Sequence, residues 1–127
     1  MAIKIKSLER TQPGISGGGA KKYYASPVHD GELTLDTLTR LIEKTSTVNG
    51  ADIRAVLYAM VEESVLGLSE GKIIRLGDLG SLRVTLKSEG KITPEDVTGA
   101  SVKRTWTIFT PGKKLREMFN NAKFKKV

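Results

Sequence analysis

The stretch Gly71–Leu86, with the sequence GKIIRLGDLGSLRVTL, constrains the fold more than any other part of the chain. Apolar and polar residues alternate on both sides of a glycine-containing turn, which is the pattern of two short paired strands. Gly77 and Gly80 bracket Asp78, and a tight turn of this kind can require the positive φ that glycine adopts without strain. The sequence therefore predicts a central β-hairpin.

Two amphipathic helices are predicted before the hairpin. The first begins after Thr34, a residue type that caps helices, and runs to about Lys44. The second begins at Asn49 or Asp52 and ends at Gly71. The apolar stripe of the second helix consists of Ile53, Val56, Leu57, Met60, Val61 and Val65. The helix carries too few basic residues to lie in a DNA groove. Its apolar stripe is better suited to packing against another copy of the same helix.

The composition limits the core that one chain can form. The chain has 127 residues, of which 39% are hydrophobic and 6% aromatic, so we expect a single domain whose modest core is completed by a partner subunit. The absence of cysteine removes disulfides, thiolate metal sites and cysteine nucleophiles. No apolar run reaches about 18 residues, and the N-terminal MAIKIKSLER lacks a continuous apolar segment. We therefore expect a soluble, cytoplasmic protein with no membrane partner.

Positive charge is concentrated in the C-terminal half of the chain, whose formal net charge is +7. Residues 1–31 contain five basic and two acidic residues, a net charge of +3. Residues 32–71 contain three basic and seven acidic residues, a net charge of −4. Residues 72–127 contain thirteen basic and five acidic residues, a net charge of +8. This asymmetry favours a dedicated binding face for a polyanion over a general contribution to solubility.

The first 31 residues are predicted to form an extension of short strands and a glycine-rich linker. Ile3 and Ile5 alternate with lysines, which indicates a short strand with a basic outer face. The run Gly14–Gly19 is typical of a flexible linker or long loop and lacks the GxxxxGK[ST] pattern of a phosphate loop. Lys21–Val28 is a candidate second strand. The main domain is predicted to comprise residues 32–127.

A basic two-stranded arm is predicted after the hairpin. Lys87–Phe109 has few apolar residues in its middle and ends in a strand with period-two alternation. Arg104 and Trp106 fall on one face of that strand, and Lys103 falls on the other.

A short helix is predicted from Thr110, with Pro111 at its first position. Its first turns carry Lys113, Lys114 and Arg116, although the helix dipole disfavours positive charge at this end. A bound phosphate would explain the three bases, because the helix N-terminus itself attracts anions. Simple solvated side chains are the alternative.

In this order, the elements resemble those of the HU and integration host factor family of bacterial histone-like DNA-binding proteins. The segment IIRLGDLGSLRVTL is similar to the family's GFGxF turn, and FTPGKKLREMF is similar to its FxPGKxLK segment. EKTSTVNGADIRAVL resembles the first inter-helix turn of the family. The likeness covers about residues 33–122, and the N-terminal extension resembles that of the longer HU-like proteins of the Bacteroidetes type.

The resemblance implies an α+β fold with two N-terminal helices, a three-stranded antiparallel sheet with a projecting β-arm, and a short C-terminal helix. It also implies an intertwined homodimer whose paired arms reach around the minor groove of double-stranded DNA, as architectural proteins of this kind do. The DNA-binding residues that follow from position and charge are Arg83, Lys87, Lys91, Lys103, Arg104, Lys113, Lys114 and Arg116.

The tip of the arm departs from the family pattern. The family's tip reads close to RNPxTG, whereas the only proline in this segment is Pro94, which is followed by Glu95 and Asp96. The resemblance implies that Pro94 wedges between base pairs, but the two carboxylates would repel phosphates. A proline-started turn with solvated carboxylates is the alternative. Phosphate neutralisation by the arm stems and the C-terminal helix is also expected, and it needs only charge and reach rather than a particular tip.

The sequence therefore predicts a nucleoid-associated homodimer that binds double-stranded DNA with little or no sequence specificity. The alternative is a dimeric protein-interaction scaffold of the same fold that has lost DNA bending or DNA binding. An enzyme is not expected, because His29 is the only histidine and no Ser or Thr has an evident base partner. We expect no catalytic residues, metal site, cofactor or small-molecule substrate.

Overall fold

The computed structural model describes residues 1–12 and 14–127. Within these residues the chain forms three α-helices and two three-stranded sheets, which confirms the predicted α+β class. The elements are β1 (Ile3–Arg10), β2 (Lys22–Pro27), α1 (Leu35–Thr45), α2 (Gly50–Ser69), β3 (Ile74–Arg75), β4 (Gly80–Ser88), β5 (Val102–Pro111), α3 (Lys113–Asn120) and β6 (Phe124–Lys126). None of the helices in this described part is long and apolar enough to cross a membrane.

Both predicted N-terminal helices are confirmed, and side-chain caps define their starts. The Thr34 hydroxyl accepts a hydrogen bond from the Thr37 amide at 3.2 Å, at the start of α1. The Asn49 side chain accepts one from the Asp52 amide at 2.9 Å, so Asn49 is the N-cap of α2. Gly71 follows the end of α2 with φ of 80°, as expected for a glycine after a helix C-terminus.

The central hairpin is also confirmed, and it belongs to an antiparallel sheet in the order β3-β4-β5. Gly77 has φ of 62° and Gly80 has φ of 151°, a region that side chains disfavour. The Leu76 amide donates to the Gly80 carbonyl at 2.8 Å and closes the turn. A Cβ atom on Gly67 of α2 would lie 2.7 Å from Cδ1 of Ile74, so α2 approaches this sheet closely at β3.

Strands β4 and β5 pair from Gly80 opposite Pro111 to Ser88 opposite Val102, and we call these two strands with the loop between them the arm. A bulge between Lys87 and Ser88 interrupts the regular register. Residues 89–101 then form a loop with two 3₁₀ turns. Hydrogen bonds to the buried Ser101 from Glu89 and Ser88 hold the two ends of this loop together.

The C-terminal helix begins later than predicted. Its N-cap is Gly112 and its first residue is Lys113, whereas the sequence predicted a start at Thr110 with Pro111 in the first turn. Pro111 instead ends β5, because the strand remains paired with β4 as far as Gly80. The long-range strand pairing therefore overrides the local helix-start signal.

The N-terminal residues form a second sheet, in the order β2-β1-β6. Strand β1 is antiparallel to β2 and parallel to β6, with Ile3 opposite Phe124. The two strands of the extension were predicted, but β6 was not. Residues 1–31 thus share a sheet with the C-terminal strand of the chain, and the boundary after Gly31 stays a prediction.

The hydrophobic core of one chain is very small. Among residues 1–12 and 14–127, Ile53 is the only buried hydrophobic side chain, with 6% of its surface exposed. Val56 and Val65 of α2 are 66% and 61% exposed. The apolar stripe of α2 is therefore largely uncovered in the isolated chain.

Gly80→Ala should destabilise the fold by about 2 to 4 kcal/mol, because it combines backbone strain with overpacking. A Cβ atom at Gly80 would lie 2.5 Å from the Thr110 carbonyl oxygen and 2.6 Å from the Phe109 ring. Gly90→Ala is the control, since nothing lies within 4 Å of its Cβ position and its φ is not in the glycine region. Urea unfolding at equal protein concentrations measures both changes; equal midpoints would contradict the tight approach at Gly80.

Candidate nucleic-acid interface

The register of β3, β4 and β5 places basic side chains on one face of the sheet. Paired residues of antiparallel strands share a face, and the faces alternate along each strand. Arg75 lies opposite Ser81, and Lys87 lies opposite Arg104. The face that we call the arm face therefore carries Arg75, Arg83, Lys87, Arg104 and Trp106. The other face carries Ile74, Leu82, Val84, Leu86 and Phe109.

The cations of the arm face form no ion pairs with acidic residues that the structure describes. In the part of the chain that the structure describes, no carboxylate forms an ion pair with Arg83, Lys87 or Arg104. Lys87 and Arg104 are direct cross-strand neighbours. Two like charges in these positions repel each other and destabilise the strand pair. The Arg104 guanidinium instead lies 4.4 Å from the centre of the Trp106 ring, within the range of a cation–π contact. This side of the arm is thus electrostatically unsatisfied and exposed.

A second group of cations, which we call the α3 cluster, surrounds a cavity of about 410 Å³ beside the hairpin turn. Arg75, Lys113 and Arg116 line it together with Asp78. The Gly112 amide donates to the Leu79 carbonyl at 2.9 Å, and the Lys114 amide donates to the Asp78 carbonyl at 3.1 Å. Since the turn occupies these two amides, the side chains rather than the helix N-terminus are the main groups available to an anion.

Three of the predicted DNA-binding residues lie apart from both groups. Lys91 forms an ion pair with Glu89 at 3.3 Å, close to the arm tip. Lys103 falls at the bulge, where it has no cross-strand partner in the register. Lys114 lies in the first turn of α3 but does not line the cavity.

Pro94 begins a 3₁₀ turn at the arm tip, followed by Glu95 and Asp96 in the same turn. All three residues are exposed. The structure thus presents the proline together with two carboxylates, so any surface that meets Pro94 also meets negative charge.

Arg75 and Trp106 belong to this region but were not among the residues predicted to bind DNA. Period-two alternation alone places Trp106 on the face of Arg104. Arg75 lines the same cavity as Lys113 and Arg116 because the hairpin turn lies next to the start of α3. No local sequence pattern indicates that these two segments are close. Across residues 1–12 and 14–127, no three acidic or histidine side chains are grouped as metal ligands would be.

Comparison with known proteins supplies a family and a fold. The family model HU-HIG, described as an HU domain fused to wHTH, Ig, or Glycine-rich motif, matches residues 1–126. No curated protein matches the sequence. The chain is similar in structure to a protein from Bacteroides vulgatus ATCC 8482, described as a "Putative bacterial DNA binding protein", whose crystal structure was determined at 2.25 Å resolution.

This structural similarity has a TM-score of 0.68 at 14% sequence identity. It covers 100% of this chain and 49% of that chain, so the present chain spans about half the length of the protein that it resembles. At this identity the match shows a shared fold.

Lys87→Thr should raise the free energy of unfolding of the free protein by about 0.2 to 1 kcal/mol. The reason is that it removes one of the two positive charges that face each other across β4 and β5. The gain should fade as salt screens the repulsion. Lys91→Thr is the control, since it removes the same charge from an existing ion pair. Thermal unfolding at low and high salt measures both variants, and a loss of stability for Lys87→Thr at low salt would contradict the opposed charges.

Proposed function

The chain belongs to the HU-HIG family, and from this premise we propose that it binds double-stranded DNA through the arm face and the α3 cluster. The observation that carries the proposal is the arm face, where Lys87 lies opposite Arg104 and neither has an acidic partner among the described residues. A DNA backbone would supply the missing negative charge at regular intervals.

The proposed contacts are mainly to phosphates, so binding has little sequence specificity. The charged side chains of the two groups are arginines and lysines, which position a protein on the backbone without reading its sequence. A two-stranded ribbon such as β4 and β5 could follow the minor groove. Glu95 and Asp96 beside Pro94 oppose deep insertion of the tip, so the affinity is assigned to the arm stems and to α3.

The functional unit is proposed to be a homodimer. One chain buries a single hydrophobic side chain among its described residues, which is too little for a stable domain of this length. The exposed stripe of α2, with Val56, Met60 and Val65, is the surface that a second copy would cover. Dimerisation would also place two arm faces on one particle and double the number of phosphates that it neutralises.

The acidic tip favours a second candidate function, in which the same dimer is a protein-interaction scaffold that has lost DNA bending or DNA binding. Under either function we propose no catalytic activity, cofactor or small-molecule substrate. Under the first, the protein would associate with the nucleoid.

The first test is the affinity for duplex DNA across a salt series. The logarithm of the affinity should fall linearly with the logarithm of the salt concentration, with a slope of about 0.9 per phosphate neutralised. Lys113→Glu with Arg116→Glu should weaken binding at least about tenfold and reduce this slope. Arg40→Glu with Lys44→Glu, which makes the same charge change on α1, is the control.

Absence of binding by the unaltered protein at low salt would remove the DNA proposal and favour the scaffold. Equal affinities for the two double variants would instead remove the α3 cluster from the interface. Fluorescence anisotropy of a labelled duplex measures all three proteins.

The second test is the oligomeric state. Light scattering should give twice the chain mass of 13.8 kDa, and the thermal midpoint should rise with protein concentration. Val65→Asp places a charge in the proposed interface and should cause dissociation and unfolding at low concentration. Val97→Asp is the control, because that valine is exposed to a similar extent, 56%, but lies in the arm loop and not in α2. A stable, folded monomer of the unaltered protein would contradict the homodimer.

A further inference from the structure

The N-terminal sheet β2-β1-β6 has two chemically different faces. One face carries Ile3, Ile5 and Phe124, which line an apolar groove of about 570 Å³ together with Phe119 of α3. The alternate residues of the same strands form the opposite face, which we call the outer basic face. Its basic residues are Lys4, Lys6, Arg10, Lys22 and Lys125.

Four of these five basic residues form no ion pair within residues 1–12 and 14–127. Lys4 forms an ion pair with Asp30 at 3.0 Å. No acidic residue in the described part of the chain pairs with the other four. Lys4 lies opposite Lys125, and Arg10 lies opposite Lys22. The antiparallel pair Arg10–Lys22, neither member of which has an acidic partner among the described residues, is unfavourable in the free protein, as Lys87–Arg104 is on the arm face.

The geometry of the cations suits an extended polyanion. Alternate residues of a strand are about 6.7 Å apart, so the row from Lys4 to Arg10 extends about 20 Å. Six base pairs of duplex occupy a similar axial length of about 20 Å. Arg10, Tyr24 and Leu8 also line a shallow cavity of about 420 Å³ on this side of the sheet.

We propose that the outer basic face is a second nucleic-acid-binding surface, which holds the phosphate backbone of a further duplex. A protein partner would need an apolar centre in the interface, and this face offers only Leu8 and Tyr24 as large apolar side chains. An anionic membrane is disfavoured for the same reason, because peripheral binding combines charge with inserted apolar area. With one duplex on the arm face and another on the outer basic face, the protein would bridge DNA.

The test is capture of one duplex by another. A biotinylated duplex on beads is saturated with protein, washed, and exposed to a fluorescent duplex. The unaltered protein should retain the fluorescent duplex. Lys6→Gln with Arg10→Gln and Lys22→Gln should reduce retention about tenfold or more, while affinity for the first duplex stays within about twofold. The matched control is Arg40→Gln with Lys44→Gln and Lys72→Gln, which makes the same charge change outside both basic faces. Equal retention by the two triple variants would overturn the inference.

A further triple variant, Arg83→Gln with Lys87→Gln and Arg104→Gln, separates this inference from the proposed function. It should still bind a single duplex weakly, because the outer basic face and the α3 cluster remain, and adding the three outer-face substitutions should weaken that residual binding about tenfold or more. If the arm variant binds like the unaltered protein and the outer-face variant does not, the arm proposal fails and the outer face stands. If the arm variant binds no duplex, the inference is wrong. Acetylation of the outer-face lysines in the presence of duplex or of phosphatidylserine vesicles gives a second check. Protection by the vesicles but not by duplex would also contradict the inference. Circular dichroism melting confirms that each variant is folded.

Discussion

The pairing register of β4 and β5 is the constraint on which the arm face and the α3 cluster both depend. Because side chains alternate between faces, a slip of one residue would move Arg83 and Lys87 to the apolar side. Two close backbone approaches fix the register. Gly80 lies against the Thr110 carbonyl, and a Cβ atom at Gly112 would lie 2.5 Å from the Asp78 carbonyl oxygen. The hairpin turn, the ends of β4 and β5 and the start of α3 therefore lie in direct contact, and this contact brings Arg75, Lys113 and Arg116 around one cavity.

Both sheets show the same division between stability and binding. In each, the larger aliphatic and aromatic side chains are concentrated on one face, and like charges are cross-strand neighbours on the opposite face. Such pairs weaken the free protein, and the small core of one chain leaves little stability to offset them. A polyanion on the basic faces would reduce the repulsion between the like charges. A second copy packed on α2 would enlarge the small hydrophobic core. Folding and binding are then thermodynamically linked, because both partners favour the native state.

Features encoded by neighbouring residues could be predicted from the sequence. The caps Thr34 and Asn49, the glycines of the hairpin turn and the alternation along β5 are local signals, and each led to a correct element. Contacts between distant segments could not be predicted in this way. Strand β6 is three residues long and pairs with β1 from the other end of the sequence. The late start of α3 likewise follows from the pairing of β5 with β4 as far as Gly80. The same pairing places Arg75 and Arg116 around one cavity.

The same limit applied to residues 1–31, whose position relative to α3 depends on β6. The connection between α3 and β6 is Asn121–Lys123, which spans at most about 15 Å. The Ile3 amide also donates to the Lys123 carbonyl at 2.8 Å, so β1 is attached to this connection directly. A sheet held by so short a connection cannot move far from α3, although a glycine-rich run lies between its first two strands. Any duplex on the outer basic face would therefore be kept close to a duplex at the α3 cluster, with a separation set by the fold rather than by a flexible linker.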